Sequence, residues 1–148
     1  MLYKQQSFSN FEPDLRYLDS FPFSREEFLF FDIETTGFSP RNTSLYLIGA
    51  VCFLDEHWTF LQWFAETPSE ECEILNAFLA FCRSFRALVH FNGDGFDIPY
   101  LLFKAEKYTL SDTLSSMQSI DLYHLTRPYK KYLKHHASNY RRKALGGA

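Results

Sequence analysis

The sequence predicts an α/β domain in which a mixed sheet, three antiparallel strands followed by a β-α-β succession, is flanked by helices. Three observations predict it. Phe28 to Ile33 is an unbroken apolar run, the pattern of a central strand covered on both faces. Leu45 to Phe53 and Trp58 to Phe64 are β-rich runs separated only by the polar link Asp55-Glu56-His57, which predicts an antiparallel hairpin. From Thr67 onward helical periodicity alternates with short apolar runs, as it does when helices cross over a sheet.

The first strand ends in Asp32-Ile33-Glu34-Thr35-Thr36-Gly37, where polar residues and a glycine break the run. Thr67-Pro68-Ser69-Glu70 combines a capping box with proline at the first helical position, so a helix starts there. Ile74, Phe78, Phe81, Cys82 and Phe85 recur at helical spacing and form its buried stripe. Ala87 to Phe91 is the next strand, followed by the turn Asn92-Gly93-Asp94-Gly95 and a helix from near Asp97. Ile98, Leu101, Leu102 and Ala105 mark that helix's apolar face, and Pro99 falls in its first turn, where a missing N–H costs little. Ser119 to Leu122 is a brief fifth strand before a basic helix, Tyr123 to Lys134. Residues 1–24 show no clear periodicity and are expected to be an extension leaning on the domain through a few aromatics. Residues 25–148 are the domain.

A chain of 148 residues suffices for one domain with a real core. Its 46% hydrophobic and 22% charged content excludes an intrinsically disordered chain. Most of the 17 Phe residues should be core, since their rings have no polar atom to present. Cys52, Cys72 and Cys82 form neither a CxxC pair nor an even set, which favours a reducing compartment. No apolar run approaches the ~20 residues that span a bilayer, and the N-terminus lacks a basic start followed by an apolar stretch. The expectation is a soluble, cytoplasmic protein with no membrane association. A net charge of −3 gives no general attraction for nucleic acid. The distribution is lopsided, however: no acid follows Asp121, whereas Arg127, Lys130, Lys131, Lys134, Arg141, Arg142 and Lys143 do. Such a segment either holds phosphates through counterion release or is a solvated helix face.

Chemistry enters with the acids. Positions two apart on a strand share a face, so Asp32 and Glu34 project side by side at the carboxyl end of the first strand. Either the strand simply ends in water there, or a divalent cation neutralises the pair, and hard oxygen ligands suit Mg²⁺ or Mn²⁺. Asp97 also has two readings. It is a good N-cap before Ile98-Pro99. It also follows a strand expected to lie near the first, and the intervening turn would deliver it to the same sheet edge, where sites in open α/β sheets gather. Asp121 reads as an N-cap for the helix from Tyr123. His57, His90, His124, His135 and His136 have no metal-ligand spacing with the cysteines, and none is read as catalytic.

Phe30-Phe31-Asp32-Ile33-Glu34-Thr35-Thr36-Gly37 resembles the first motif of the DEDD 3′–5′ exonucleases. His90-Phe91-Asn92-Gly93-Asp94-Gly95-Phe96-Asp97-Ile98-Pro99-Tyr100-Leu101 resembles their second, an Asn-x₃-Phe-Asp element. The hairpin between them, and Ile120-Asp121-Leu122 followed by Asn139-Tyr140, more closely resemble the bacterial YprB-like branch of the ribonuclease H-like exonucleases. The resemblance covers residues 28 to 145. It implies a ribonuclease H-like sheet and a 3′–5′ exonuclease that hydrolyses phosphodiester bonds at single-stranded 3′ ends of DNA or RNA with two Mg²⁺ or Mn²⁺ ions. On that resemblance Asp32 would bridge the ions, Glu34 would hold the one that activates water, and Asp97 would position the other. Asn92 would orient the substrate or its own turn. The backbone near Thr35 would contact the terminal nucleotide, and either residue could equally be structural.

The family's third motif, a Tyr, His or Asn a few residues before a final Asp on a last helix, has no counterpart here. Arg142 stands where the family usually has Leu. The expectation is a C-terminally incomplete domain with weak activity or none, the alternative function being a non-catalytic ribonuclease H-like domain that binds nucleic acid or a protein. Asp121 is disfavoured as a substitute fourth ligand because it belongs to a separate Asp-Leu element.

Overall fold

In the computed structural model, which describes residues 1–129, the strands are β1 (Leu2–Phe8), β2 (Phe28–Thr35), β3 (Leu45–Leu54), β4 (His57–Phe64), β5 (Ala87–His90) and β6 (Gln118–Asp121). The helices are α1 (Glu71–Cys82), α2 (Asp97–Lys107) and α3 (Leu122–Thr126). The strands form one sheet in the order β1-β4-β3-β2-β5-β6. The first four in that order pair antiparallel, and β5 and β6 then join parallel to β2. The parallel steps require crossovers, which α1 and α2 supply. This is the mixed sheet flanked by helices that the sequence predicts.

The β3–β4 hairpin turns on Asp55 and Glu56, whose φ angles of 46° and 64° are those of a two-residue turn with both central residues left-handed. A side chain at Glu56 costs about 1 kcal/mol in that conformation. Glu56→Gly is therefore expected to raise the thermal midpoint by roughly 3 °C. A fall in the midpoint, followed by circular dichroism, would contradict this turn.

Strand β2 shows how the sheet is covered. Leu29, Phe31 and Ile33 face the helical layer, where Phe31 packs 5.6 Å from the Phe78 ring of α1. Ile74, Leu75, Phe78, Leu79 and Cys82 bury the rest of that layer. On the opposite face, residues 9–24 cross the sheet. Phe11 sets its edge on Trp58 at 6.5 Å, and Leu18 is buried in a second cluster with Phe28, Ala87, Val89 and Ile120. That cover reaches only part of the strand: Phe28 is buried, while Asp32 and Glu34 on the same face are exposed. The continuous burial expected from Phe28 to Ile33 therefore holds at the start of β2 and fails at its carboxyl end.

Three elements differ from the sequence expectation. Leu2–Phe8, placed in an aperiodic extension, forms edge strand β1, with Tyr3 paired to Trp63 in register and in ring contact at 5.7 Å. All seven of its residues are exposed, so no buried face imposed an alternation that could be read. The capping box at Thr67 does not form. Residues Pro68–Glu70 make a 3-10 turn, the Thr67 hydroxyl pairs with that of Ser69 at 2.8 Å, and the Glu70 carboxylate instead accepts the Glu66 N–H at 2.7 Å. The expected basic helix is α3 followed by a 3-10 turn, Arg127–Tyr129, and the rest of it lies outside the described residues with Asn139, Tyr140 and Arg142. Among the described residues no helix is long and apolar enough to cross a membrane.

Helix α2 buries a face unlike the one its apolar residues suggest. Leu101 and Ala105 are buried as expected, but so are Asp97, Tyr100 and Lys104. Lys104 Nζ sits 2.8 Å from Glu71 Oε1 and donates to the Thr43 carbonyl at 2.6 Å. The Glu71 carboxylate also accepts the Leu45 N–H at 2.9 Å and the Tyr108 hydroxyl at 2.5 Å. A buried ion pair thus lies beside the apolar contacts of Leu101 and Ala105, on a face the apolar spacing did not mark. It ties α1 and α2 to the segment that leaves β2.

Candidate active site

Parallel pairing of β2 with β5, in register from Phe28↔Ala87 to Phe30↔Val89, sets the carboxyl ends of the two strands side by side. Asp32 and Glu34 project from the open face of β2. Asp32 lies opposite Gly49 of β3, and the absent side chain there leaves a hollow of about 350 Å³, bordered by Phe30, Asp32, Glu34, Leu47, Val51 and Phe60.

Asp97 arrives from the other strand. The turn after β5 carries it to the start of α2, where Phe96 occupies the N-cap position and Asp97 is the first helical residue. The capping explanation therefore does not hold. Its carboxyl stands against the Asp32 carboxyl and the Ile33 backbone N–H. The residue is only 7% exposed, and its Oδ2 is buried with no hydrogen-bond partner among the described residues. Burial, and next the neighbouring charge of Asp32, push the Asp97 carboxyl up to about 7 from its ordinary 3.8. Two carboxyl groups in contact, one carrying an orphaned oxygen, have no counter-charge among the described residues. That is the donor set a hard divalent cation fits.

The other expected site residues fall nearby in different roles. Glu34 shares the open face with Asp32 and is exposed. The Thr35 hydroxyl is turned into its own loop, donating to the Gly37 carbonyl at 2.7 Å. Asn92 sits in the turn before Asp97 with a φ of 58°, a conformation asparagine adopts more readily than most residues.

Asp121 is not with Asp32 and Asp97. It caps α3 by accepting the Tyr123 N–H at 3.0 Å, as expected, and it joins His90 and Asp94 in a second cluster whose ligand atoms all lie within 4.8 Å of one another. Hydrogen bonds account for this cluster without a cation. Gly93 N–H donates to His90 Nδ1 at 3.0 Å, so in the neutral ring the proton is on Nε2, 2.7 Å from the Ser119 hydroxyl. Burial, the largest effect, holds His90 below its ordinary value, consistent with that neutral ring. The sequence reading missed this cluster because it sought histidine beside cysteine. A signal was present in His90 and Asp94, which flank a glycine-bearing turn. The buried Glu71–Lys104 pair was missed too, although Lys104 lies at i+3 and i−1 from the apolar positions Leu101 and Ala105.

A mixed sheet of this order, with acids gathered at the carboxyl end of its central strand, defines a ribonuclease H-like α/β domain. The chain belongs to the RNase_H superfamily, whose sequence model matches residues 29–145. Among solved structures, the family B DNA polymerase from the hyperthermophilic archaeon Pyrobaculum calidifontis is similar in fold. It matches with a TM-score of 0.54 and 19% identity over 65% of this chain and 15% of the polymerase. The present chain thus spans a small part of that protein's length. No curated protein sequence matches the chain.

Proposed function

We propose that this domain is a divalent-metal-dependent 3′–5′ exonuclease of the DEDD type, close to the YprB-like branch, acting on single-stranded ends of DNA or RNA. The observation that carries this reading is the Asp97 carboxyl, buried against Asp32 with its Oδ2 unpartnered among the described residues. Superfamily membership supports a nuclease-type activity. Asp32, Glu34 and Asp97 would hold the ions, Mg²⁺ or Mn²⁺. Bound there, such ions would neutralise phosphodiester charge and acidify a water molecule. Without them the three carboxylates repel a phosphate, so nucleic acid would depend on the cation for entry. Gly49 leaves room beside Asp32 for a sugar-phosphate backbone, and the apolar floor formed by Phe30, Leu47 and Phe60 offers contact area to the sugar and base.

The test uses 5′-labelled single-stranded DNA and RNA with Mn²⁺, Mg²⁺ or a chelator. Slow shortening from the 3′ end is expected with either metal and none with chelator, and Asp32→Ala is expected to abolish it. Shortening that survives Asp32→Ala would remove this reading.

A second reading draws on the basic residues after Asp121, Arg127 to Lys143, whose charge would hold phosphates without taking part in cleavage. On that reading the domain binds nucleic acid without cutting it, and the labelled strand would be retarded in a gel yet keep its length.

A further inference from the structure

Two ionised carboxylates in contact repel, so in the form that would hold a cation something other than their own interaction keeps Asp97 against Asp32. Between the end of β5 and Asp97 the chain has no regular structure, and Asn92 takes a left-handed φ. Left to itself, such a segment would let the Asp97 carboxyl swing toward water.

Side chains from neighbouring strands bind three successive backbone N–H groups of that segment. Asn92 N–H donates to Asp121 Oδ1 at 2.8 Å, Gly93 N–H to His90 Nδ1 at 3.0 Å, and Asp94 N–H to Asp121 Oδ2 at 3.3 Å. The remaining polar atoms are committed as well. His90 Nε2–H points to the Ser119 hydroxyl at 2.7 Å, and that hydroxyl donates to Asp94 Oδ1 at 2.6 Å. Ser119 and Asp121 lie on β6, and His90 closes β5. The braced turn is then locked to the helix that begins with Asp97, since Ile98 N–H donates to the Gly93 carbonyl at 2.8 Å. Gly93 is required at this point, because a Cβ there would overlap the His90 ring.

We propose that Asp121, His90 and Ser119 are positioning residues for the metal-binding acid Asp97, holding the Asn92–Asp94 backbone so that its carboxyl stays against Asp32. The inference rests on the nuclease reading of that acid pair. Ser119 has a specific part in it. By accepting from Nε2 it fixes the tautomer that leaves Nδ1 free to receive Gly93, and a ring protonated on Nδ1 would oppose that N–H instead.

Two conservative substitutions separate this role from mere packing. In His90→Asn the side-chain oxygen stands near the place of Nδ1, so the Gly93 bond is kept. In His90→Gln the amide nitrogen stands near the place of Nε2, so the Ser119 bond is kept and Gly93 loses its acceptor. Mn²⁺ binding to the full chain, measured from the electron paramagnetic resonance of the free ion, is expected to stay within about threefold of wild type in His90→Asn. It is expected to weaken roughly tenfold or more in His90→Gln. Amide exchange at Gly93 should accelerate only in the second. Equal affinities in the two variants, or the reverse order, would overturn the proposal. If neither His90 variant folds, Ser119→Ala at a partly exposed strand position decides: weaker Mn²⁺ binding supports the proposal and wild-type affinity overturns it. A wild-type chain that binds no Mn²⁺ removes the nuclease reading and this proposal together. Binding that Asp97→Asn abolishes and these variants leave untouched removes this proposal alone.

Discussion

Asp97→Asn is expected to melt at a higher temperature than the wild-type chain in metal-free buffer at pH 8 and, assayed with Mn²⁺, to lose cleavage by roughly 10³-fold or more. The folded-state pKa of Asp97, about 7, lies above its ordinary 3.8, so the folded protein keeps a proton that the unfolded chain releases. Stability contributed by such a group is present at low pH and is lost as pH rises from about 4 through 7. Above that window the ionised pair opposes folding. Asparagine, of the same shape and uncharged, removes the opposition. The gain is on the order of 1–2 kcal/mol, less than the full shift would suggest because Asp32 is exposed and water screens its charge. This corresponds to roughly 3–6 °C at pH 8 and should vanish near pH 4. On the proposed reading divalent ions would bind only the folded wild-type chain, and they should raise its midpoint and leave that of the variant unchanged. A variant less stable than wild type at pH 8, with an unchanged response to Mn²⁺, would contradict the unpaired acid pair.

The second large effect lies away from the acids. Lys104→Met is expected to destabilise the domain by about 3–5 kcal/mol, because it leaves the Glu71 carboxylate buried and unpaired. A fall in the midpoint of roughly 10 °C should follow. Burial alone would raise the Glu71 pKa, yet the Leu45 N–H, Lys104 and the Tyr108 hydroxyl together outweigh it and hold the carboxyl below its ordinary 4.5. In the wild type this stabilises the fold above that value and the contribution is lost as pH falls through the lowered one. Adding Glu71→Gln to Lys104→Met should recover much of the loss, since the amide oxygen still accepts from the Leu45 N–H, the amide NH₂ can donate to a Tyr108 hydroxyl turned to accept, and no charge is buried. The same pair steadies the loop after the site strand. Lys104 holds the Thr43 carbonyl, and the Thr43 hydroxyl pairs with the Tyr100 hydroxyl at 2.8 Å. Lys104→Met should therefore also expose residues 36–44 to limited proteolysis. A single variant melting within about 2 °C of wild type would show that the ion pair contributes little.

The fold was legible wherever burial imposed a period. Phe28 to Phe31, the hairpin strands β3 and β4, and the stripe Ile74, Phe78 and Cys82 all pack as their spacing implies. Strand β1 was not legible because both its faces are wet and its pairing with β4 is made by backbone. The α2 face was misjudged because Lys104 and Asp97 are buried by polar partners from distant segments, which local apolar spacing does not encode. The acids Asp32, Glu34 and Asp97 could be picked out from position and motif, and the contact between Asp32 and Asp97 depends on the parallel register of β2 with β5. The turn's anchors were hidden for a similar reason. His90, Ser119 and Asp121 meet only because β5 and β6 are neighbours, with His90 paired to Asp121 in the ladder.

Titration of the wild-type chain with Mn²⁺ at pH 8, followed by the paramagnetic signal of the free ion, probes the acid pair most directly. Saturable binding that Asp32→Asn and Asp97→Asn each abolish is the expected result. Binding retained at wild-type strength in both variants, or absent from the wild-type chain, would contradict the assignment of these carboxylates as the metal-holding centre of a nuclease.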